Sequence, residues 1–129
     1  MGRRSFLGFC FCAALARAAA KAAVRGRLKP PALITREGKR IILEGDEDTL
    51  KVVNDLRVAK EDFEATGELV ANDRFRIDPI YKRALFVWRN GKRLAITYWC
   101  DTCGIRTYVP GKCVCCQQET QLDPREPEA

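Results

Sequence analysis

The pattern of apolar and polar positions predicts a mainly β protein. Short apolar runs bounded by turn residues recur between residues 40 and 99, and such runs are typical of strands. Arg40–Leu43, Phe63–Val70 and Phe75–Asp78 are each predicted to be strands, and a short helix or strand with Asp48 as a candidate N-cap lies between the first two. We therefore expect a small antiparallel barrel or sandwich, and an OB-like barrel is one arrangement that fits.

The clearest local prediction is a β-hairpin around Asn90-Gly91. The segment Leu85–Arg89 precedes this dipeptide and Lys92–Trp99 follows it. Asn-Gly supplies the two positive-φ residues of a type I′ turn, which fixes a two-residue hairpin and its register. The aliphatic face of the hairpin is expected in the core. On its other face Trp88 is opposite Arg93, and we expect the guanidinium to cover the indole.

Four cysteines near the C-terminus have the spacing of a metal site. Cys100 and Cys103 form one C-x-x-C loop, and Cys113 and Cys116 form a second. Each loop turns its two sulfurs to one side, so two loops on adjacent strand ends complete a tetrahedron. A full thiolate shell has no open position for a substrate, so the prediction is a structural zinc ion and not a catalytic one.

This stretch resembles the paired knuckles of zinc ribbons and of rubredoxins. Cys100-Asp-Thr-Cys103-Gly104 matches C-x-x-C-G, in which glycine lets backbone N–H groups turn toward the sulfur. Rubredoxins favour proline after the third cysteine and glycine after the fourth, where this chain has Val114 and Gln117. The zinc-ribbon resemblance implies a structural zinc site, and the rubredoxin resemblance implies an iron-containing electron carrier as the alternative.

Thiol chemistry is a further alternative for the same cysteines. In an oxidising compartment they can form two disulfides, such as Cys100–Cys103 and Cys113–Cys116, or cross pairs. The zinc assignment leaves Cys115 as the spare thiol of the C-terminal segment. All three alternatives use the same sulfurs, so sequence spacing leaves the choice between them open.

The first twenty residues have the pattern of an export signal. Arg3 and Arg4 precede Phe6 and Leu7, and the apolar run that follows is shorter than the ~20 residues of a membrane-spanning helix. The pattern resembles the twin-arginine signal of bacteria, R-R-x-F-L. This resemblance implies export of an already folded protein to the periplasm or beyond. If the leader is not cleaved, we expect it to form a helix that anchors the protein to the membrane.

Charge and composition narrow the function classes. The formal net charge is +6, but part of it lies in the leader, so a nucleic-acid partner is not expected. The chain has no histidine, which removes a histidine general base and every mixed Cys/His zinc site. With no nucleophile paired to a base, the sequence supplies nothing positive for an enzyme.

These observations divide the chain into segments and suggest a role. We expect an export signal over 1–20, a basic linker over 21–39, a β-domain over 40–99, knuckles packed on that domain over 100–117, and a disordered tail over 118–129. Three residues beside the knuckles are candidates for contact with a protein partner: Trp99, Arg106 and Tyr108. The prediction is an exported metal-binding protein that serves as a binding or assembly module in the periplasm.

Overall fold

The computed structural model describes residues 21–127, and these residues form mostly strands. In chain order the elements are β1 (Ala22–Lys29), β2 (Ala32–Thr35), β3 (Arg40–Glu44), α1 (Glu47–Val53), α2 (Leu56–Ala59), β4 (Asp62–Ala71), β5 (Arg74–Ile77), a 3-10 turn (Ile80–Lys82), β6 (Leu85–Arg89), β7 (Lys92–Ala95), β8 (Tyr98–Cys100), β9 (Ile105–Thr107) and β10 (Gln121–Leu122). No helix within this part of the chain is long and apolar enough to cross a membrane. The export signal and leader helix predicted for residues 1–20 lie outside the described residues.

Strands β1 to β5 close into a barrel. Their order is β1-β2-β3-β5-β4, and β4 pairs back onto β1. The neighbours are antiparallel except for β3 and β5, which run parallel. A Cβ atom at Gly67 would lie 2.0 Å from the carbonyl oxygen of Arg76, so the missing side chain lets β4 and β5 approach closely at the predicted bend. The predicted fold class, mainly β with a small barrel as one of its two expected arrangements, is confirmed.

The barrel core is apolar, and α1 covers one part of it. The side chains of Phe63, Phe75 and Leu33 are fully buried, as are Val52 and Val53 of α1. These two valines are adjacent in the helix, so α1 presents a broad apolar face to the barrel.

The N-cap of α1 is Asp46, and the prediction of Asp48 is wrong by two positions. Asp46 Oδ1 accepts a hydrogen bond from the backbone N–H of Thr49 at 2.8 Å. Asp48 lies in the first turn, where its carboxylate is 3.5 Å from the ammonium group of Lys51. The helix therefore begins two residues earlier than the pattern suggested.

The predicted basic linker over 21–39 is wrong, because this segment forms β1 and β2. Its basic residues alternate with residues of low exposure, and Leu28 pairs with Leu33 inside the barrel. Pro30 and Pro31 lie in the tight connection between the two strands, where their missing N–H groups remove nothing from the ladder. Basic side chains on one face of β1 gave it the composition of a linker.

The hairpin around Asn90-Gly91 has the predicted register. Both turn residues have positive φ, 53° and 78°, and Trp88 is opposite Arg93. However, Arg93 lies over the ring of Phe86 at 4.2 Å, and Arg25 of β1 lies over Trp88 at 4.1 Å. The prediction that Arg93 covers the indole is wrong because β4 brings β1 close to this face of the hairpin.

The C-terminal segment has defined partners as far as Glu126, so the predicted disordered tail is wrong for that part. β10 pairs with β8, and the backbone groups of Arg125 and Ala95 exchange hydrogen bonds of 2.6 and 2.9 Å. Asp123 N–H also donates to the carbonyl oxygen of Thr97 at 2.8 Å. The polar composition of the C-terminal segment does not reveal that strand edges on β7 and β8 supply its backbone partners.

Candidate metal centre

The first knuckle is the connection between β8 and β9. Strand β8 ends at Cys100 and β9 begins at Ile105, so the C-x-x-C-G segment is the turn of a small hairpin. Gly104 adopts φ of 66°, and its N–H donates to the carbonyl oxygen of Cys100 at 2.8 Å. The Cys103 N–H also points to Cys100 Sγ at 3.4 Å. A single turn thus brings both cysteines to one side of the hairpin.

The second knuckle, Cys113–Gln117, repeats this backbone conformation. The N–H of Gln117 donates to the carbonyl oxygen of Cys113 at 2.9 Å, which matches the bond from Gly104 to Cys100. Gln117 has φ of 64°, almost the angle of Gly104. The residue that departs from the C-x-x-C-G pattern therefore takes the same left-handed conformation, and the two knuckles have the same local fold.

The four sulfur atoms meet where the knuckles face each other. The Sγ atoms of Cys100, Cys103, Cys113 and Cys116 all lie within 4.8 Å of one another. A tetrahedral ion with metal–sulfur bonds of about 2.3 Å separates its sulfurs by about 3.8 Å, so the cluster has the right size. The 3.5 Å between Cys100 and Cys116 is far too long for a disulfide, whose bond is about 2.05 Å. These four cysteines lie close enough to hold one metal ion.

Backbone N–H groups favour the thiolate form of one of the four cysteines, Cys113. N–H groups of Cys116 and Cys115 lower the pKa of Cys113 to about 7, and the Cys115 N–H lies 3.4 Å from its sulfur. The neighbouring thiol of Cys115, together with burial, raises the pKa of Cys103. Adjacent thiolates repel one another, so full ionisation of the cluster requires a bound cation.

Cys115 lies beside Cys103 but differs from the clustered cysteines in two ways. Its side chain is exposed, whereas Cys100 and Cys113 are buried, and it does not belong to the group of four clustered sulfurs. All five cysteines between 100 and 116 are free thiols. The assignment of Cys115 as the spare thiol agrees with this geometry.

A hydrogen-bonded group that the sequence pattern did not reveal attaches the knuckles to the barrel. Tyr98, fully buried, donates from its hydroxyl to Asp55 Oδ2 at 2.8 Å. Arg57 binds the same carboxylate at 2.9 Å and donates to the carbonyl oxygen of Thr120 at 2.9 Å. Thr120 directly precedes β10, so α2 of the barrel holds the end of the three-stranded sheet β10-β8-β9.

The three predicted contact residues pack mainly against their own chain. The guanidinium of Arg106 lies 4.7 Å from the ring centre of Trp99 and donates to Asp123 at 2.9 Å. Arg83 lies over the ring of Tyr108 at 4.4 Å. Because arginines cover these rings, the geometry gives Trp99, Arg106 and Tyr108 an evident packing role, and their contact with a partner stays a prediction.

Comparisons with known proteins give no relative for this chain. No protein-family model matches it, and no curated protein or solved structure is similar to it.

Proposed function

We propose that this protein is an exported binding or assembly module whose four-cysteine site holds one structural zinc ion. The observation that carries the proposal is the pair of equivalent knuckles that bring four Sγ atoms within 4.8 Å of one another. Zinc prefers a closed tetrahedral thiolate shell in structural sites. Such a shell has no position for water or substrate, so the ion stabilises a surface and takes no part in a reaction.

The position of the site supports a structural role. The three-stranded sheet is small, and β10 contributes only two residues to it. An element of this size has little apolar core of its own, and metal binding is a common substitute for one. We infer that the metal fixes the β8–β9 hairpin and the Cys113–Gln117 loop, while Arg57 joins this unit to the barrel.

Iron is the second candidate, and the sulfur shell alone is compatible with it. An electron carrier of this kind would hold iron in the same tetrahedron. Zinc is preferred because the chain lacks the proline and glycine that rubredoxins favour around the second knuckle, having Val114 and Gln117 there. A visible absorption spectrum separates the two, since zinc–thiolate sites are colourless.

Export is supported by the leader pattern of Arg3, Arg4, Phe6 and Leu7. A route for folded proteins lets the cysteines bind metal in the reducing cytoplasm before they meet an oxidising compartment. The test is fractionation of bacterial cells that produce the full chain or its Arg3→Lys/Arg4→Lys variant. We expect the first in the periplasmic or membrane fraction and the second retained in the cytoplasm. Equal distribution of the two would contradict the proposed route.

Two matched variants within the second knuckle test the metal proposal. Cys113→Ser removes a buried ligand, and Cys115→Ser removes the exposed thiol two residues away. We expect the Cys113 variant to lose metal and to lose the ordered three-stranded sheet, and the Cys115 variant to keep both. Metal content and backbone amide protection are the measurements. Loss of metal in both variants, or in neither, would contradict the assignment of the ligands.

A further inference from the structure

One outer face of the barrel carries cations that have no ion-pair partner. Most acidic and basic groups of the described chain are paired, for example Glu44 with Arg74 and Glu61 with Arg89. The cations between residues 21 and 127 that take part in no ion pair are mainly on or beside strands β1 to β3: Arg27, Lys29, Arg36, Lys39, Arg40 and Lys60. The others are Lys82 and Lys112. We call the first set the basic face.

Strand geometry places these cations together. Arg27 is opposite Ile34 on β2, and Ile34 is opposite Arg40 on β3, so all three point outward on the same side of the barrel. Lys29 follows Arg27 by two residues, a step of about 6.7 Å along the strand. All the cations of the basic face are exposed.

A shallow groove crosses this face, and four of the unpaired cations line it. Its lining includes Arg27, Lys29, Arg36 and Lys60 around the half-buried Ile34. The two acids that also line it already have partners, since Glu61 binds Arg89 and Asp62 binds Arg25. One exposed acid, Glu37, lies nearby in the β2–β3 connection. The face is therefore positive, and its side chains are available to an anionic partner.

We propose that the basic face docks on an anionic lipid surface. This proposal rests on the export part of the proposed function, because the twenty-residue leader ends one residue before Lys21 and β1 begins at Ala22. The strand that carries Arg27 and Lys29 thus starts where an apolar leader ends. The apolar run of that leader is too short to span a bilayer, so an uncleaved leader is a weak anchor. One weak apolar anchor gives only marginal attachment unless a basic patch supplies a second contact.

The composition of the groove favours lipid phosphates over a nucleic acid. Proteins that hold single strands usually offer aromatic rings on which bases stack. The residues that line this groove include no aromatic side chain. The nearby ring of Trp88 is covered by Arg25 at 4.1 Å. A positively charged groove without aromatic rings fits a layer of anionic lipid headgroups. Each Lys or Arg near such a layer strengthens binding, and salt weakens that binding.

The test uses the full chain and vesicles of two compositions. Sedimentation with phosphatidylcholine vesicles measures binding through the leader alone, and vesicles that also contain phosphatidylglycerol measure the added contribution of charge. We expect binding to the anionic vesicles to be at least roughly tenfold tighter at low salt, and this excess to vanish at about 0.5 M salt. Equal binding to both vesicles would overturn the proposal.

Two double variants with the same change of charge locate the contact. Arg27→Gln/Lys29→Gln removes two cations of the basic face, and Lys82→Gln/Lys112→Gln removes the two unpaired cations outside it. The first should weaken binding to anionic vesicles on the order of tenfold, and the second should leave it near the unaltered level. An equal loss in both variants would show a general charge effect and overturn the proposed face.

Two further measurements, oligonucleotide binding and metal content, separate the lipid proposal from a nucleic-acid partner and from the zinc proposal. If a single-stranded oligonucleotide binds more tightly than the anionic vesicles at the same salt, and Arg27→Gln/Lys29→Gln abolishes that binding, the face belongs to a nucleic acid and the lipid proposal is wrong. Metal content is measured on the same preparations. Zinc without lipid binding overturns only the lipid proposal, whereas lipid binding without metal overturns only the zinc assignment.

Discussion

At the scale of single residues, positive φ angles determine how the knuckles form. Gly104 and Gln117 follow the second cysteine of each loop and have φ of 66° and 64°. A non-glycine residue pays about 1–2 kcal/mol for the left-handed conformation. The spacing of the cysteines was enough to predict which four sulfurs lie together, but Gln117 looked like a departure because its backbone angle is not visible in the sequence.

Substitution at these two positions should have opposite effects. Gly104→Ala should lower the free energy of unfolding by about 1–2 kcal/mol, since alanine resists a positive φ. The nearest atom to the new Cβ, on Trp99, is 3.8 Å away, so crowding adds little. Gln117→Gly should be neutral or raise stability by up to about 1 kcal/mol. Denaturant unfolding of the metal-loaded protein measures both, with Asp101→Ala as an exposed control in the first knuckle. An unchanged Gly104→Ala variant would contradict the strain argument.

The carboxylate of Asp55 should make stability depend on pH at acidic values. Burial raises the pKa of Asp55, but hydrogen bonds from Arg57 and Tyr98 outweigh it and hold the pKa below its ordinary value. Because the folded-state pKa is depressed, the stabilisation is complete above the unfolded-state pKa of about 3.9. It is lost as the pH falls through the lower folded-state value.

Asp55→Asn tests this dependence. We expect the variant to be less stable at neutral pH and the difference from the unaltered protein to shrink below about pH 4. Unfolding measured from pH 7 to pH 2.5 follows the difference, and the comparison at each pH removes the effect that metal release has on both proteins. A difference that stays constant over this range would show that Asp55 does not titrate as described.

At the scale of elements, local signals predicted more than non-local ones. The Asn90-Gly91 hairpin and the C-x-x-C loops were predictable because turn chemistry and ligand spacing act within a few residues. β1 and β2 pair with each other across Pro30-Pro31, and they were missed because their basic residues and prolines have the composition of a linker. The pairing of β10 was missed because its partner β8 is distant in the chain and its own residues are polar. The contact between Arg57 and Thr120 was likewise invisible, since 63 positions separate the two residues.

Arg57 should hold the three-stranded sheet to the barrel. Arg57→Ala removes the bond to the carbonyl oxygen of Thr120 and the ion pair with Asp55, and we expect a loss of about 1–2 kcal/mol. Hydrogen exchange should become faster at β10 before it does in β2 or β4. Arg89→Ala, which breaks an exposed pair with Glu61, is the control and should cost under about 1 kcal/mol. Equal exchange rates at β10 in both variants would contradict the role of Arg57.

At the scale of the whole molecule, two structural units have different sources of stability. The barrel has a continuous apolar core that includes Phe63, Phe75 and Tyr98. The three-stranded sheet contributes Tyr98 of β8 to this core, and it is held further by Arg57, by the edge of β7 and by the proposed metal site. The formal charge predicted little about partners, because ion pairs neutralise most charged groups and leave the unpaired cations concentrated on the face of β1 to β3. The concentration of unpaired cations on one face is visible only in the folded structure.

Elemental analysis of the purified protein, with a visible spectrum of the same sample, tests the central claim most directly. The account predicts about one zinc ion per chain, no visible absorption band, and loss of the β8–β9 sheet when a strong chelator removes the metal. Iron with strong visible absorption would contradict the zinc assignment and favour the electron carrier. A metal-free protein without titratable thiols at positions 100, 103, 113 and 116 would contradict the metal site altogether.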